Sequence, residues 1–423
     1  MATPLKTLDG RRRVVIEGVR PSVDGGRFAV KRVVGDWLSV NANAFTDGHD
    51  EIRVVLAWRG PIAAGPGGGG EESPWTETDM EPLGNDEWRA GFPLEQLGRY
   101  EFTVFGWVDR WRTWQHDLAK RVDAGQDVAV DLLIGKELVE AAAGRANGAD
   151  TQLLRATAAD FDVDRALDER LAEIIERYPD RTLETTLDQP LAVTVDPERA
   201  RFSAWYELFP RSASPDATRH GTFADVIDRL DYVKELGFDI LYMPPISPIG
   251  RQFRKGPNNR PSGDASDPGV PWAIGGPEGG HDAVHPQLGT LDDFKSLVGE
   301  AGKRGIQIAL DIAFQASPDH PWVTEHPDWF RARPDGTIQY AENPPKKYQD
   351  IYPFDFESKD WRGLWQALNG VFRFWLDQGV TVFRVDNPHT KAFPFWEWCI
   401  NDIKADHPEA IFLAEAFTRP KVM

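Results

Sequence analysis

From Arg201 onward the sequence alternates short apolar runs with amphipathic helical segments, and this alternation restricts the fold more than any other feature. Residues 202–210, 239–245, 306–314, 380–385 and 410–414 read as five strands. Phe223 to Leu236, Leu291 to Arg304, Trp361 to Gln378 and Phe393 to about Asp406 read as the helices between them. Gly237, Gly305 and Gly379 directly follow three of these helices, where a residue able to turn left-handed ends them. Strand, helix, strand in this order predicts a parallel barrel with its site at the C-terminal strand ends.

Two of those strands stop on acids. Residues 383–387 read FRVDN, and residues 412–416 read FLAEA. Arg384 precedes Asp386 by two residues, so alternation along a strand places both side chains on one face. A cation beside that carboxylate favours its ionised form. One helix separates the two strands, so neighbouring parallel strands carry Asp386 and Glu415 side by side. Paired carboxylates with different neighbours suit a nucleophile and an acid/base in glycosidic chemistry. Taken singly, each acid also reads as a loop cap or a cation ligand.

The remaining sequence has a different character. Residues 12 to about 131 hold short strand-like runs separated by Gly-rich turns, which predicts a β-sandwich. Residues 61–70 (PIAAGPGGGG) read as a flexible loop, and Trp75, Trp88, Trp107, Trp111 and Trp114 as core or interface residues. Residues 135–178 switch to helical spacing, with Asp160 and Asp162 as candidate N-caps of a helix from Phe161 to Tyr178. Leu183 to Glu198 reads as a mixed connector. The expectation is a multidomain chain. It has an N-terminal β-sandwich (1–134), a small helical insertion with connector (135–200) and a (β/α)8 barrel (201–423). About five barrel strands are present, with a small inserted subdomain at about 315–358.

Charge and composition exclude several classes of function. The formal charge of −19, from 67 acids and 48 bases, argues against nucleic acid or an anionic membrane as a general partner. Cys399 is the only cysteine, which leaves no intrachain disulfide and suits a reducing compartment. The opening residues carry no apolar signal core, and no apolar run is long enough to span a bilayer, so a cytoplasmic protein is expected. No Cys/His cluster suggests zinc and no Gly-rich motif suggests a nucleotide, so no metal or cofactor is expected.

FRVDN and FLAEA resemble the nucleophile and acid/base strands of the α-amylase superfamily. Within it the chain is similar to the maltosyltransferases that extend α-1,4-glucans from α-maltose 1-phosphate. Two basic clusters carry that narrower likeness, residues 251–260 (RQFRKGPNNR) and 342–353 (ENPPKKYQDIYP). Both stand on the long loops, 244–290 and 315–358, that leave the strand ends. By resemblance Lys255, Asn343, Lys346 and Tyr348 bind the donor's phosphate, with Lys347 as an alternative to Lys346. Alone, each cluster also reads as a solvated loop. Gln315-Ala316 stands where ordinary α-amylases have Asn-His, which sets the chain apart from plain amylases. Asp311 is expected to support its strand end. The segment opened by His281 contributes to the donor site or caps its loop, and Asn387 reads equally as a substrate contact or a turn residue.

The resemblance implies double displacement through Asp386 and Glu415, with Arg384 keeping Asp386 ionised and burial near the leaving phosphate keeping Glu415 protonated for the first step. It further implies α-1,4-glucan acceptors and a homodimer formed through the helical segment. The family's third acid lies on a later strand, beyond Met423, so 1–423 reads as a fragment expected to be insoluble or inactive alone. The alternatives are an α-glucan hydrolase or trehalose-forming mutase of the same superfamily, and a non-catalytic glucan-binding protein.

Overall fold

The structure is a computed structural model that describes residues 9–62, 73–264 and 266–419. Residues 1–8 of the opening stretch read for a signal segment, most of the 61–70 loop and the chain end at Met423 fall outside them. The chain forms two units, one of residues up to Val195 and one from Asp196 onward.

The first unit is built on two sheets. One orders strands Val15–Arg20, Trp37–Phe45, Glu87–Pro93 and Glu81–Gly84. The other orders Val30–Val33, Leu191–Asp196, Gly98–Val108, Ile52–Ile62 and Thr76–Asp79, with Thr185–Thr186 beside Gly98–Val108. Along Trp37–Phe45 the buried residues are Leu38, Val40, Ala42 and Ala44, the period-2 pattern of a strand with one face inward. They share a core with Leu56, Phe102, Val104 and Val193 of the other sheet, so inner faces from both sheets close one hydrophobic layer.

Three expectations for this unit are corrected. The β-rich stretch ends at Val108, not about Asp131, because Asp109 accepts from the Arg112 N–H and caps a helix, Arg110–Asp123. Trp111 and Trp114 are buried with Leu118, Val139, Leu154 and Ile175 in a helical core. The single helix expected over 161–178 is two, Val163–Ala166 capped by Asp162 and Glu169–Glu176 capped by Asp168. The connector 183–198 contributes two strands to the second sheet, Leu191–Asp196 pairing antiparallel with Gly98–Val108. Trp107 is also buried, whereas Trp75 and Trp88 are half-buried.

The second unit holds the strand–helix alternation. Its strands are β1 (Trp205–Glu207), β2 (Ile240–Met243), β3 (Gln307–Ile312), β4 (Val382–Val385) and β5 (Ile411–Ala414). Its main helices are α1 (Phe223–Glu235), α2 (Leu291–Lys303), α3 (Trp361–Asp377) and α4 (Phe393–Asp406). The strands pair in parallel in the order β1-β2-β3-β4-β5. They form an open sheet, so the closed barrel is not seen. Thr222 and Asp225, and Thr290 and Asp293, make reciprocal capping boxes at the starts of α1 and α2. Gly237, Gly305 and Gly379 after α1, α2 and α3 have φ of 84°, 70° and 89°.

Side-chain alternation divides this sheet into two faces. Leu241, Met243, Ile308, Leu310, Ile312, Phe383 and Val385 join Phe223, Phe294, Leu364, Phe372 and Phe395 of the helices in one core. Burying each large side chain contributes about 1.5–3 kcal/mol. On the opposite face Ile240, Ala309, Val382 and Ile411 form a small apolar layer with Trp205 and Tyr242 around them. Two residues further along β3 and β4, and four along from Ile411, that same face turns polar.

Candidate active site

Parallel register sets this polar layer. Asp311 on β3 stands opposite Arg384 on β4, and Arg384 opposite Leu413 on β5. Asp386 and Glu415 lie two residues beyond Arg384 and Leu413, so they share the face of Arg384. Backbone pairing continues past the strands to hold them, Asp386 N–H donating to Ile312 O at 2.9 Å and Glu415 N–H to Val385 O at 3.0 Å.

One guanidinium meets all three acids. Arg384 Nη1 donates to Asp311 Oδ2 at 2.7 Å and to Asp386 Oδ1 at 2.9 Å. Its Nη2 lies 2.9 Å from Glu415 Oε2, an ion pair without hydrogen-bond alignment. The structure therefore brings Asp386, Glu415 and Arg384 together as expected. Side-chain exposure rises from 0% at Asp311 to 11% at Asp386 and 32% at Glu415. Glu415, expected buried near the leaving phosphate, is one-third exposed here and faces the Arg384 guanidinium.

Asp311 does more than end a strand. Its Oδ2 also accepts from the Tyr242 hydroxyl at 2.5 Å, and its buried Oδ1 has no hydrogen-bond partner. Burial pushes its carboxyl up to about 7, with Arg384 pulling the other way. Burial, then the Asp311 charge, pushes the Tyr242 phenol above its ordinary range, so the hydroxyl stays a donor.

Two residues here escaped sequence reading. Tyr242 is one; a lone hydroxyl in the apolar run of β2 was its signal. Lys391 is the other. Its Nζ donates to Asn387 O at 3.2 Å and, at 3.4 Å, to Asp386 O, and burial lowers its pKa while the three acids raise it. Asn387 is left-handed at φ 42° and places its amide 3.4 Å from Asp386 Oδ1. It is thus a turn residue that also touches the candidate nucleophile.

The long loops leave the same C-terminal edge of the sheet as the acids. In the second, Ala341–Asn343 and Lys346–Tyr348 form an antiparallel hairpin pairing Asn343 with Lys346 and Ala341 with Tyr348. Asn343, Lys346 and Tyr348 therefore share one face, and Lys347 lies on the other with Glu342. Lys255, from the first loop, reaches Asp350 just after this hairpin, with Nζ 3.8 Å from Oδ1. Among the described residues, no hydrogen bond or ion pair links this set to the acids around Arg384. Gln315 Nε2 donates to Trp272 O at 3.0 Å, tying the segment after β3 to the first loop.

His281 is buried and paired. Its Nε2 meets Ala313 O and its Nδ1 meets His320 Nε2, both at 3.0 Å. His320 Nδ1 accepts from the Trp322 N–H, so each ring carries its proton on Nε2. Burial lowers both histidines, His281 to about 4. His320 was missed because its partner lies 39 residues away.

Residues 12–197 match the family described as α-1,4-glucan:maltose-1-phosphate maltosyltransferase, domain N/S, and residues 207–367 match the α-amylase catalytic domain. A Chlorobaculum tepidum protein named α-1,4-glucan:maltose-1-phosphate maltosyltransferase is 51% identical over 99% of this chain and 62% of its own length. A protein of that name from Cereibacter sphaeroides is 47% identical over 97% of this chain and 69% of its own. The chain spans about 62% of the length of the first such relatives. Among solved structures, an α-amylase from Lactobacillus plantarum is 32% identical, covering 52% of this chain and 46% of that one, with a TM-score of 0.43.

Proposed function

The chain belongs to the α-1,4-glucan:maltose-1-phosphate maltosyltransferase family, and from that premise we propose that it transfers maltosyl units from α-maltose 1-phosphate to the non-reducing ends of α-1,4-glucans. The observation that carries this reading is the polar layer on β3–β5, where Arg384 contacts Asp311, Asp386 and Glu415. Asp386 attacks the anomeric carbon and phosphate departs, giving a maltosyl ester on Asp386. The 4-hydroxyl of a glucan end then attacks that ester while Glu415 takes its proton. Two inversions give net retention and an α-1,4 bond.

In this reading Glu415 acts as that base from its position beside Arg384. Phosphate, already a stable leaving anion, departs with less help from an acid than a sugar alcohol requires. Lys255, Asn343, Lys346 and Tyr348 supply donors to its oxygens, in the manner of charge-assisted hydrogen bonds. The hairpin register supports choosing Lys346 over Lys347. Gln315 and Asn387 contact the donor sugar.

The parallel sheet is one part of a (β/α)8 barrel in this reading. The helix Ala129–Arg145 exposes Val130, Leu133 and Ile134 on one face, which supports a homodimer through the helical segment. Among the described residues no helix is long and apolar enough to cross a membrane, and a cytoplasmic enzyme is the reading adopted.

The test is phosphate release by the full protein given α-maltose 1-phosphate and a short maltooligosaccharide. The expected result is release coupled to products longer by two glucose units. Acceptor cleavage or isomerised maltose without phosphate release would overturn the proposal.

A further inference from the structure

Lys255 and Asp350 form an ion pair with an unusual deficit. Their side chains are only 11% and 4% exposed. At 3.8 Å the ammonium and carboxylate are within ion-pair reach but too far apart for a hydrogen bond. Asp350 Oδ1 is sealed from solvent and accepts no hydrogen bond. Among the described residues Lys255 has no other partner, so its ammonium keeps its N–H donors unspent in a place where water is scarce. A buried charge pair whose two members do not hydrogen-bond each other is costly unless another group completes it. The missing group is an acceptor, and for an ammonium it is an anion.

Asp350 is itself held firmly. It stands two residues after Tyr348, where Ile351 N–H donates to Tyr348 O and Ala341 N–H donates to Ile351 O, closing the foot of the hairpin. Lys255 comes from the other long loop. The pair therefore ties the first loop to the hairpin that carries Asn343, Lys346 and Tyr348. Burial pushes the Asp350 carboxyl upward, while its own backbone N–H and then Lys255 pull it down.

We propose that Asp350 is a positioning residue for the donor's phosphate: it holds the Lys255 ammonium against the hairpin while leaving its N–H donors for the oxygens of a phosphomonoester. This rests on the phosphate-donor reading above. Asp350 touches no reacting atom. Its effect passes through Lys255 and is confined to donors that carry phosphate.

The experiment compares α-maltose 1-phosphate with α-maltosyl fluoride as donors to one glucan acceptor, using the full protein. The readout is the ratio of kcat/KM for the phosphate donor over the fluoride donor. Asp350→Asn is expected to lower that ratio at least tenfold. Lys255→Met should lower it at least as much, and the double variant no further than Lys255→Met. An Asp350→Asn ratio that is unchanged or raised overturns the inference, as does a further fall in the Lys255→Met background. Should Asp350→Asn alone not fold, Lys255→Met/Asp350→Leu replaces it, and the ratio must equal that of Lys255→Met. Wild-type protein that ignores the phosphate donor overturns the functional reading as well. Wild-type use of it with an unmoved variant ratio overturns this inference alone.

Discussion

Asp311→Asn tests which force governs the acid layer. Arg384 is a single cation shared among Asp311, Asp386 and Glu415, and Asp311 is the most deeply buried of the three. Desolvation should outweigh the shared cation there, which is the sense of its carboxyl being pushed up to about 7. An unfolded aspartate titrates near ~3.9. Because the folded value is the higher one, the stabilising contribution is fully present below pH ~3.9 and is lost as pH rises through about 7. At about 1.4 kcal/mol per pH unit, keeping Asp311 ionised in the fold costs on the order of 4 kcal/mol by pH 8. Asparagine keeps the shape and does not titrate. The variant should therefore gain on wild type by about 4 kcal/mol between pH 4 and pH 8, on the order of 10 °C in the melting temperature of this unit. Thermal melts of both full proteins across that range measure the difference, and contributions common to both cancel. A flat difference, or one favouring wild type as pH rises, would show that Arg384 dominates and refute the argument.

Three further outcomes follow from the same contacts. Arg384→Met should lower kcat for maltosyl transfer by on the order of 10²–10³, and Arg384→Lys should restore little, because one ammonium cannot replace a fork that meets three acids; steady-state kinetics within tenfold of wild type would count against it. The buried His281–His320 pair is held neutral, so its stabilising contribution should be lost as pH falls from ~6.5 through about 4 at His281, and His281→Gln should flatten that acid limb in unfolding experiments. A Cβ built on Gly135 overlaps the Trp114 ring, so Gly135→Ala should destabilise the first unit by about 1–3 kcal/mol, read as a lowered melting temperature.

The second unit was legible because its signals are local. Apolar runs, helical spacing and glycines after helices placed β1–β5 and α1–α4 within a few residues. The same-face rule for Arg384 and Asp386 needed only strand alternation. What failed depended on partners distant in sequence. Leu191, Val193 and Val195 alternate as a strand should, yet their pairing partners in Gly98–Val108 lie about ninety residues earlier. Trp111 and Trp114 fall inside the stretch read as β-rich until Asp109 is recognised as a helix cap. Glu415 was expected buried near the leaving phosphate. Its exposure and its pairing with Arg384 are set by β4–β5 register, which no single segment encodes. The Lys255–Asp350 pair joins two loops whose mutual approach has no local signature.

In the proposed mechanism Asp386 carries the maltosyl unit between donor and acceptor. The most direct measurement is mass spectrometry of peptides from the full-length Glu415→Gln variant after reaction with α-maltosyl fluoride. Fluoride departs without an acid, and the missing base stalls the second step, so the intermediate should accumulate. A single maltosyl adduct on the peptide containing Asp386, absent in Asp386→Ala, is the predicted result. An adduct on another residue, or no adduct while the wild-type protein turns the donor over, would contradict it.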